Sequence, residues 1–233
     1  MKKIMFSDRY DLTKKVLCGQ KTQTRRNVKW DILDDKKEES IEDVIIVTLL
    51  DRKQLFFGYD AAGNLIGQSV SAFHIGEEVA VAQKYSDLSN CKGFYEALEK
   101  AAPSFPLECI KGEKGCNNKM FVKPEWMPHR IRITGIRMEK MQSISTNDCL
   151  AEGVDDDFGE GVSLFWWSID PNLHEDWRKI SHEVSCHILY GEPGNYFWPT
   201  AQGAFSALIE RINGKGTWER NPWVWVYEFE LIR

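Results

Sequence analysis

Eight residues near the start of the chain, Gly19-Gln20-Lys21-Thr22-Gln23-Thr24-Arg25-Arg26, bring one lysine, two threonines and two arginines together. Arg25 and Arg26 offer planar forks of N–H donors that suit phosphate or carboxylate oxygens, and Lys21 adds a compact positive charge. A lysine with a hydroxyl three residues on, Lys21 with Thr24, is also a pairing that can do covalent chemistry. A threonine hydroxyl is a weak nucleophile until a base takes its proton, and an amine with a depressed pKa can serve as that base. Arg25 or Arg26 could then hold a developing oxyanion or a phosphate. Taken alone, the same eight residues read equally well as a solvated basic loop.

Other residues far along the chain can join them. Glu152 supplies a carboxyl that could carry a proton to a leaving amine. By itself it reads as an exposed residue in the last turn of a short helix, where the helix dipole disfavours it. Arg130 to Met138 sets Ile131, Ile133 and Ile136 against Arg132, Thr134 and Arg137, so one face of a strand is basic. Trp218, Trp223 and Trp225 offer faces on which a base could stack, although strand alternation fits Trp223 and Trp225 to a core as well. The candidate catalytic set is therefore Lys21, Thr24 and Glu152. The candidate ligand-binding set is Lys21, Thr22, Arg25, Arg26, Arg130, Arg132 and Trp218.

These residues need elements to position them. A short helix precedes the basic stretch, with Ser7 or Asp8 as N-cap, Leu12, Val16 and Leu17 on one face, and Gly19 as its stop. Val44 to Leu50 has the β-branched composition of a buried strand. Gln54 to Gly58 and Leu65 to Val70 flank a turn at Tyr59 to Asn64 and read as a hairpin. Gly76 leads into a strand through Gln83, Gly93 to Ala102 reads as a short helix, and 104–118 reads as loop. Ser145 caps a helix that Gly153 ends. Phe205, Leu208, Ile209 and Ile212 mark a helix over Ala201 to Asn213, and Trp223 to Ile232 alternates as a strand. The order predicts a single α+β domain over 1–233, a mostly antiparallel β-barrel with helices at its rim. A change of composition marks an insertion at about 155–200, mostly helical, with a helix from about Leu173 to Leu189; it could carry a surface for a protein partner.

The bulk numbers constrain the partner. The 233 residues carry a net charge of −5, against a broad face that coats nucleic acid, so any anion site is local. Lys21 to Lys29 holds four basic residues and no acid, while Asp34 to Asp43 holds six acids and two lysines. No apolar run is long enough to span a bilayer or to act as a signal peptide, so no membrane partner is expected. The six cysteines lack CxxC spacing and read as reduced cytoplasmic thiols, with a zinc site at Cys109 and Cys116 the weaker alternative. His182 and His187 have the wrong spacing to ligate from one helical face. No metal and no cofactor is expected.

The pattern Gly19-x-Lys21-x-x-Thr24-x-Arg26 is similar to the signature loop of the ASCH domain family. Three further blocks resemble larger phage and bacterial members: Met127-Pro128-His129-Arg130-Ile131, Ile144-Ser145-x-x-Asp148-Cys149-Leu150-Ala151-Glu152-Gly153, and Gly216-Thr217-Trp218-Glu219-x-Asn221-Pro222-Trp223-Val224-Trp225-Val226. The resemblance implies a PUA-like β-barrel with a cleft beside the signature loop, and association with RNA. One small bacterial group of the family hydrolyses the amide of N4-acetylated cytidine, using a lysine and a threonine of the signature loop and a downstream glutamate; Lys21, Thr24 and Glu152 match these. The members of that group are much shorter, and the segment at about 155–200 has no counterpart in them. The leading expectation is a domain that binds RNA, a nucleotide or a modified nucleoside around Lys21. An amidohydrolase on acylated cytidine-type nucleosides comes second, and a phage-encoded protein-interaction module third.

Overall fold

The computed structural model of the chain describes residues 1–33, 36–88, 91, 93–101, 103, 107–159, 162–167 and 196–232. Their fold is α+β with mostly antiparallel strands. Five strands, β1 (Lys2–Ile4), β7 (Glu78–Val81), β8 (Arg130–Lys140), β12 (Trp223–Ile232) and β2 (Gln23–Asn27), form one sheet in that spatial order. Only the β1–β7 pairing is parallel. β12 lies between β8 and β2 and is buried over most of its length, which is why it reads as an almost unbroken apolar run. Its ladder to β8 slips at Glu228/Phe229, a bulge that places Gly135 opposite Glu228. A Cβ at Gly135 would come within 2.5 Å of the Glu228 carboxylate.

A second, antiparallel sheet runs β3 (Asp31–Ile32), β6 (Leu65–His74), β5 (Lys53–Tyr59), β4 (Asp43–Thr48). The expected hairpin is there: Asp60 Oδ1 accepts the backbone N–H groups of Ala62 and Asn64 at 3.0 and 2.8 Å. β4 is a strand as predicted but not a buried one. It sits at the sheet edge with Ile45, Ile46 and Val47 exposed. Apolar content marked the strand and carried no information about its place in the sheet. Among the described residues the two sheets are separate ladders that meet through side chains: Phe56 stands edge-on to Trp225 at 4.7 Å, and Phe73 to Tyr227 at 5.1 Å.

The segment at 155–200 begins and ends in strands rather than helix. β9 (Asp155–Gly159), β10 (Val162–Trp167) and β11 (Tyr196–Trp198) form a third, antiparallel sheet. The helix expected at about 173–189, with His182 and His187, lies outside the described residues.

Among the described residues the helices are α1 (Leu12–Leu17), α2 (Tyr85–Leu88), α3 (Phe94–Ala101), α4 (Thr146–Ala151), α5 (Ala201–Asn213) and α6 (Thr217–Arg220). α5 buries Phe205, Leu208 and Ile209, and the Thr200 hydroxyl caps it by accepting the Gly203 N–H at 3.1 Å. α1 starts later than its caps suggested. Ser7 leads into a 3-10 turn over Asp8–Tyr10, and Asp11, at φ 54°, precedes α1 without a side-chain cap. The Asp8 carboxylate instead takes hydrogen bonds from the Thr13 hydroxyl at 2.6 Å and Lys119 Nζ at 2.7 Å. The main core includes Val16, Ile131, Ile133, Phe205 and Val226, while Tyr85, Phe94, Leu98 and Trp126 form a separate cluster around α2 and α3. The 104–118 stretch contains a 3-10 segment, Leu107–Gly112, where only loop was expected. Among the described residues, cysteines 18, 91, 109, 116 and 149 are free thiols, and no helix is long and apolar enough to cross a membrane.

Candidate functional site

The stretch Gly19 to Arg26 is neither a loop throughout nor solvated throughout, since Lys21, Gln23, Thr24 and Arg25 are buried. After α1, Gly19 turns the chain at φ 79°, and the N–H groups of Gln20 and Lys21 both return to the Lys15 carbonyl, at 2.9 and 3.0 Å. The Thr22 N–H donates to the Ala151 carbonyl and its own carbonyl accepts from the Phe229 N–H, each at 2.9 Å. Lys21 is thereby pinned between the end of α4 and β12. From Gln23 onward the chain is β2, with Thr24 paired to Tyr227 and Arg26 to Trp225 across the ladder.

α4 delivers the carboxylate. Ser145 caps it as the sequence predicts, accepting the Asp148 N–H at 3.1 Å. The helix closes at Glu152, and Gly153 leaves at φ 100°. A Cβ on Gly153 would sit 3.2 Å from Leu12, 3.3 Å from the Lys15 stem and 3.7 Å from the Lys21 stem. The absence of a side chain there lets both lysines run past. Lys21 Nζ donates to Glu152 Oε2 and to the Glu152 carbonyl oxygen, each at 2.6 Å. Lys21 is 2 % exposed and Glu152 5 %. The exposed helix-end glutamate that local reasoning allowed is therefore not what forms.

The second Glu152 oxygen accepts from Arg25 at 3.1 Å. Arg25 also reaches Glu139 and, at 3.3 Å, Asp148. Asp148 is held in turn by Gln23 at 2.8 Å and Arg137 at 3.0 Å. Burial pushes the Lys21 pKa below the ordinary lysine range despite Glu152, with Arg26 and Arg25 adding to the lowering. Burial opposes the charge on Glu152 as well, but Lys21 and Arg25 outweigh it and hold that carboxyl below its usual range. Glu152 is thus the settled anion, and Lys21 is the group brought nearer to releasing a proton at moderate pH.

Lys21, Thr24, Arg25, Arg26 and Glu152 line one cavity of about 360 Å³, whose apolar wall includes Phe6, Phe205 and Leu208. All three candidate catalytic residues line it, as does Arg26. The other candidates behave differently. Arg25 has its charge taken up by three carboxylates, so it is a clamp rather than an anion holder. Thr22 is exposed and serves through its backbone. Arg132 pairs with Glu78 and Glu230, each at 3.2 Å, so the basic strand face is neutralised away from the cavity. Arg130, at the start of β8, does not line the cavity either. Trp218 packs edge-on to Phe205 at 6.2 Å, which makes its ring structural, and its backbone N–H donates to Glu210. Arg26 stays available: one nitrogen donates to the Met5 carbonyl at 2.6 Å, and it makes no ion pair among the described residues.

Sequence reasoning missed Lys15, which donates to the Gly153 carbonyl at 2.7 Å and pairs with Asp155. It also missed the acids around Arg25. Nothing local marks a helix acid such as Asp148 as the partner of a strand arginine. Phe6 and the α5 residues Phe205 and Leu208 are core and cavity lining at once, a double role that helical periodicity does not mark. Comparison of the chain with protein-family models, with curated proteins and with solved structures gives no match.

Proposed function

We propose that the chain is an amidohydrolase that removes an acyl group from the exocyclic amine of a cytidine-type base, a reading placed here ahead of binding alone. The observation that carries it is the 2.6 Å contact of Lys21 with Glu152 in a cavity that Thr24 also lines. A pocket that only held an anion would gain nothing from a carboxylate that neutralises its lysine. A hydrolytic site needs both a base and a carrier for the proton. Lys21, disposed by burial to lose its proton, takes the Thr24 hydroxyl proton as Thr24 Oγ1 attacks the amide carbonyl. The oxyanion develops towards Arg26. The proton passes by way of Lys21 and Glu152 to the departing amine as the C–N bond breaks, leaving an acyl-threonine. Water, deprotonated by the same pair, then releases the acid and restores the hydroxyl.

The resemblance to the ASCH family supports the same reading, and we take the two sheets joined by Phe56–Trp225 and Phe73–Tyr227 to be a PUA-like barrel. The free thiols support a reducing, cytoplasmic setting. A specific observation favours the binding reading as well: Arg26 makes no ion pair among the described residues, so the base could be recognised within a nucleotide or RNA.

Incubation with N4-acetylcytidine decides between them. The wild type should release the acyl group, and Thr24→Ala, Lys21→Ala and Glu152→Gln should each cut turnover by a similar factor, on the order of a thousand or more, because the three act as a unit. Wild-type protein that binds the nucleoside without turning it over would leave the binding reading standing alone.

A further inference from the structure

Among the described residues the two main sheets end in four edge strands, and three of these are short or charged. β1 has three residues, two of them Lys2 and Lys3, β3 has two residues, and β2 carries Arg25 and Arg26. Such edges resist pairing with another chain, which finds little ladder to join or must cover a charge. β4 has neither protection. It runs for six residues, Asp43-Val44-Ile45-Ile46-Val47-Thr48, with its one charge at the start and no proline. Ile45, Ile46 and Val47 are 52, 51 and 41 % exposed, and successive side chains lie on opposite faces, so both faces of the strand are apolar and open to solvent.

The free side of β4 has a defined hydrogen-bond pattern. The Leu49 N–H donates to the Lys53 carbonyl at 2.9 Å, on the β5 side. Peptide groups alternate along an antiparallel ladder, so Val47 and Ile45 also turn towards β5, while Val44, Ile46 and Thr48 direct theirs outward. Val44 agrees with this, since its N–H is taken at 2.8 Å by the side chain of Asp43. A row of outward N–H and C=O groups on an apolar strand is a template for one more strand.

The strand that fits is β4 of a second copy. Turned about a two-fold axis at Ile46, β4 meets itself with Ile46 opposite Ile46, Val44 opposite Thr48 and Ile45 opposite Val47, so the apolar centre covers its own image. The ends of the strand differ in charge. Glu42 and Asp43 are exposed at its start, and Arg52 is exposed in the turn that follows it. Asp51 and Lys53 pair with each other at 3.1 Å, which leaves the charge of that turn to Arg52. Antiparallel pairing brings the acidic start of each copy beside the Arg52 turn of the other, whereas parallel pairing would set like ends together.

We propose that β4 is the interface of a homodimer in which two four-stranded sheets join edge to edge through antiparallel β4 strands. The proposal is independent of the chemistry at Lys21. One short strand pairing is a small contact, below the roughly 1,200 Å² of a standard complex, so the dimer is a reversible one that forms at micromolar concentrations and above.

The test is sedimentation equilibrium of the full chain from about 1 to about 300 µM, where monomer should give way to dimer with a dissociation constant of about 100 µM or tighter. Ile46→Lys sets two ammonium groups face to face at the axis and should weaken the dimer by about tenfold or more. Arg52→Glu should weaken it by about threefold or more, and Glu42→Lys added to Arg52→Glu should bring the constant back to within about twofold of wild type. Val70 is 48 % exposed on the same face as Val47 but two strands in from the edge, outside the contact. Val70→Lys should therefore leave the dimer within about twofold of wild type. Should thermal melts show that Ile46→Lys folds poorly, Arg52→Glu and its reversal decide alone. The proposal is overturned if the chain stays monomeric throughout, if assembly runs on past the dimer, or if Arg52→Glu or a folded Ile46→Lys leaves the dimer at wild-type strength. It is equally overturned if the added Glu42→Lys restores nothing, or if Val70→Lys abolishes the dimer, which would place the contact on the face of the sheet.

Discussion

Lys21 Nζ lies 2.6 Å from both a carboxylate oxygen and the backbone oxygen of Glu152, and the two residues are 131 positions apart in the chain. The pair joins the turn before β2 to the C-terminal end of α4, and its chemistry and its contribution to stability cannot be separated.

Removing one member of such a pair strands the other. Lys21→Met should cost about 3–5 kcal/mol, the usual scale for breaking a buried ion pair. Glu152→Gln should cost at least as much, since it leaves Lys21 and Arg25 both without their shared anion. In Lys21→Met/Glu152→Gln the losses should fall short of additive by roughly 0.5–3 kcal/mol. Urea unfolding of the wild type, both singles and the double measures this, and strict additivity would show that the two side chains are uncoupled.

The acid limb of stability has a defined sign. Against the effect of burial, Lys21 and Arg25 hold the Glu152 carboxyl below the ordinary glutamate value of 4.5 in the folded protein. Its contribution is therefore complete above the unfolded value and lost as pH falls through the lower folded one. Asp148, lowered from 3.8 chiefly by the Gln23 hydrogen bond and Arg137 against the effect of burial, adds a loss of the same sign. Urea midpoints taken from about pH 7 down to about pH 3, below the ordinary carboxyl values, should drop for the wild type and drop less for Glu152→Gln. Equal slopes for the two proteins would contradict the assignment.

Turnover should rise with pH and level off below 10.5, the ordinary lysine value, because burial lowers the Lys21 pKa. Lys21→Arg keeps a charge but stays protonated, so it should lose both the activity and the limb. A rate that climbs without a break up to the ordinary lysine value would mean that Lys21 is not the titrating base.

Gly153 and Gly63 separate backbone strain from site geometry. Both have positive φ, 100° and 80°, but only Gly153 has lysine stems beside it. Alanine at either position should cost about 1–3 kcal/mol by strain. Gly153→Ala should in addition reduce turnover by displacing Lys21, whereas Gly63→Ala, in the Asp60 turn, should not. Thermal melts and acyl release measured on both variants test the difference.

Arg132→Ala should change little. Its ion pairs with Glu78 and Glu230 are exposed, a class worth about 0–1 kcal/mol, and it does not line the cavity. Loss of nucleoside binding in this variant would return the basic face of β8 to the site.

Elements with a strong local signal were legible in the sequence. The α5 helix, the hairpin around Asp60, the Ser145 cap and β12 follow from periodicity, turn chemistry and capping, which act over a few residues. The convergence of Lys21, Thr24 and Glu152 came from residue type and family resemblance, and no local pattern carries a contact across so many residues. The sequence-based reading failed where a role depends on distant neighbours. Arg25 looked free because Glu139 and Asp148 lie on other elements, and Trp218 looked like a stacking platform because its contact with Phe205 depends on how α6 packs against α5. The exposure of β4 was hidden for the same reason, since a strand's apolar residues do not say which strands flank it.

β12 is the strand to which β2 is hydrogen-bonded in the five-stranded sheet. During synthesis, residues 23–27 are made early yet have no ladder to join until residues 223–232 have left the ribosome. Such long-range pairing closes slowly and leaves its strands uncovered meanwhile. Thr24, Arg25 and Arg26 must therefore wait for β12 on a nascent chain, and ribosome-bound fragments lacking it should neither bind nor turn over a ligand.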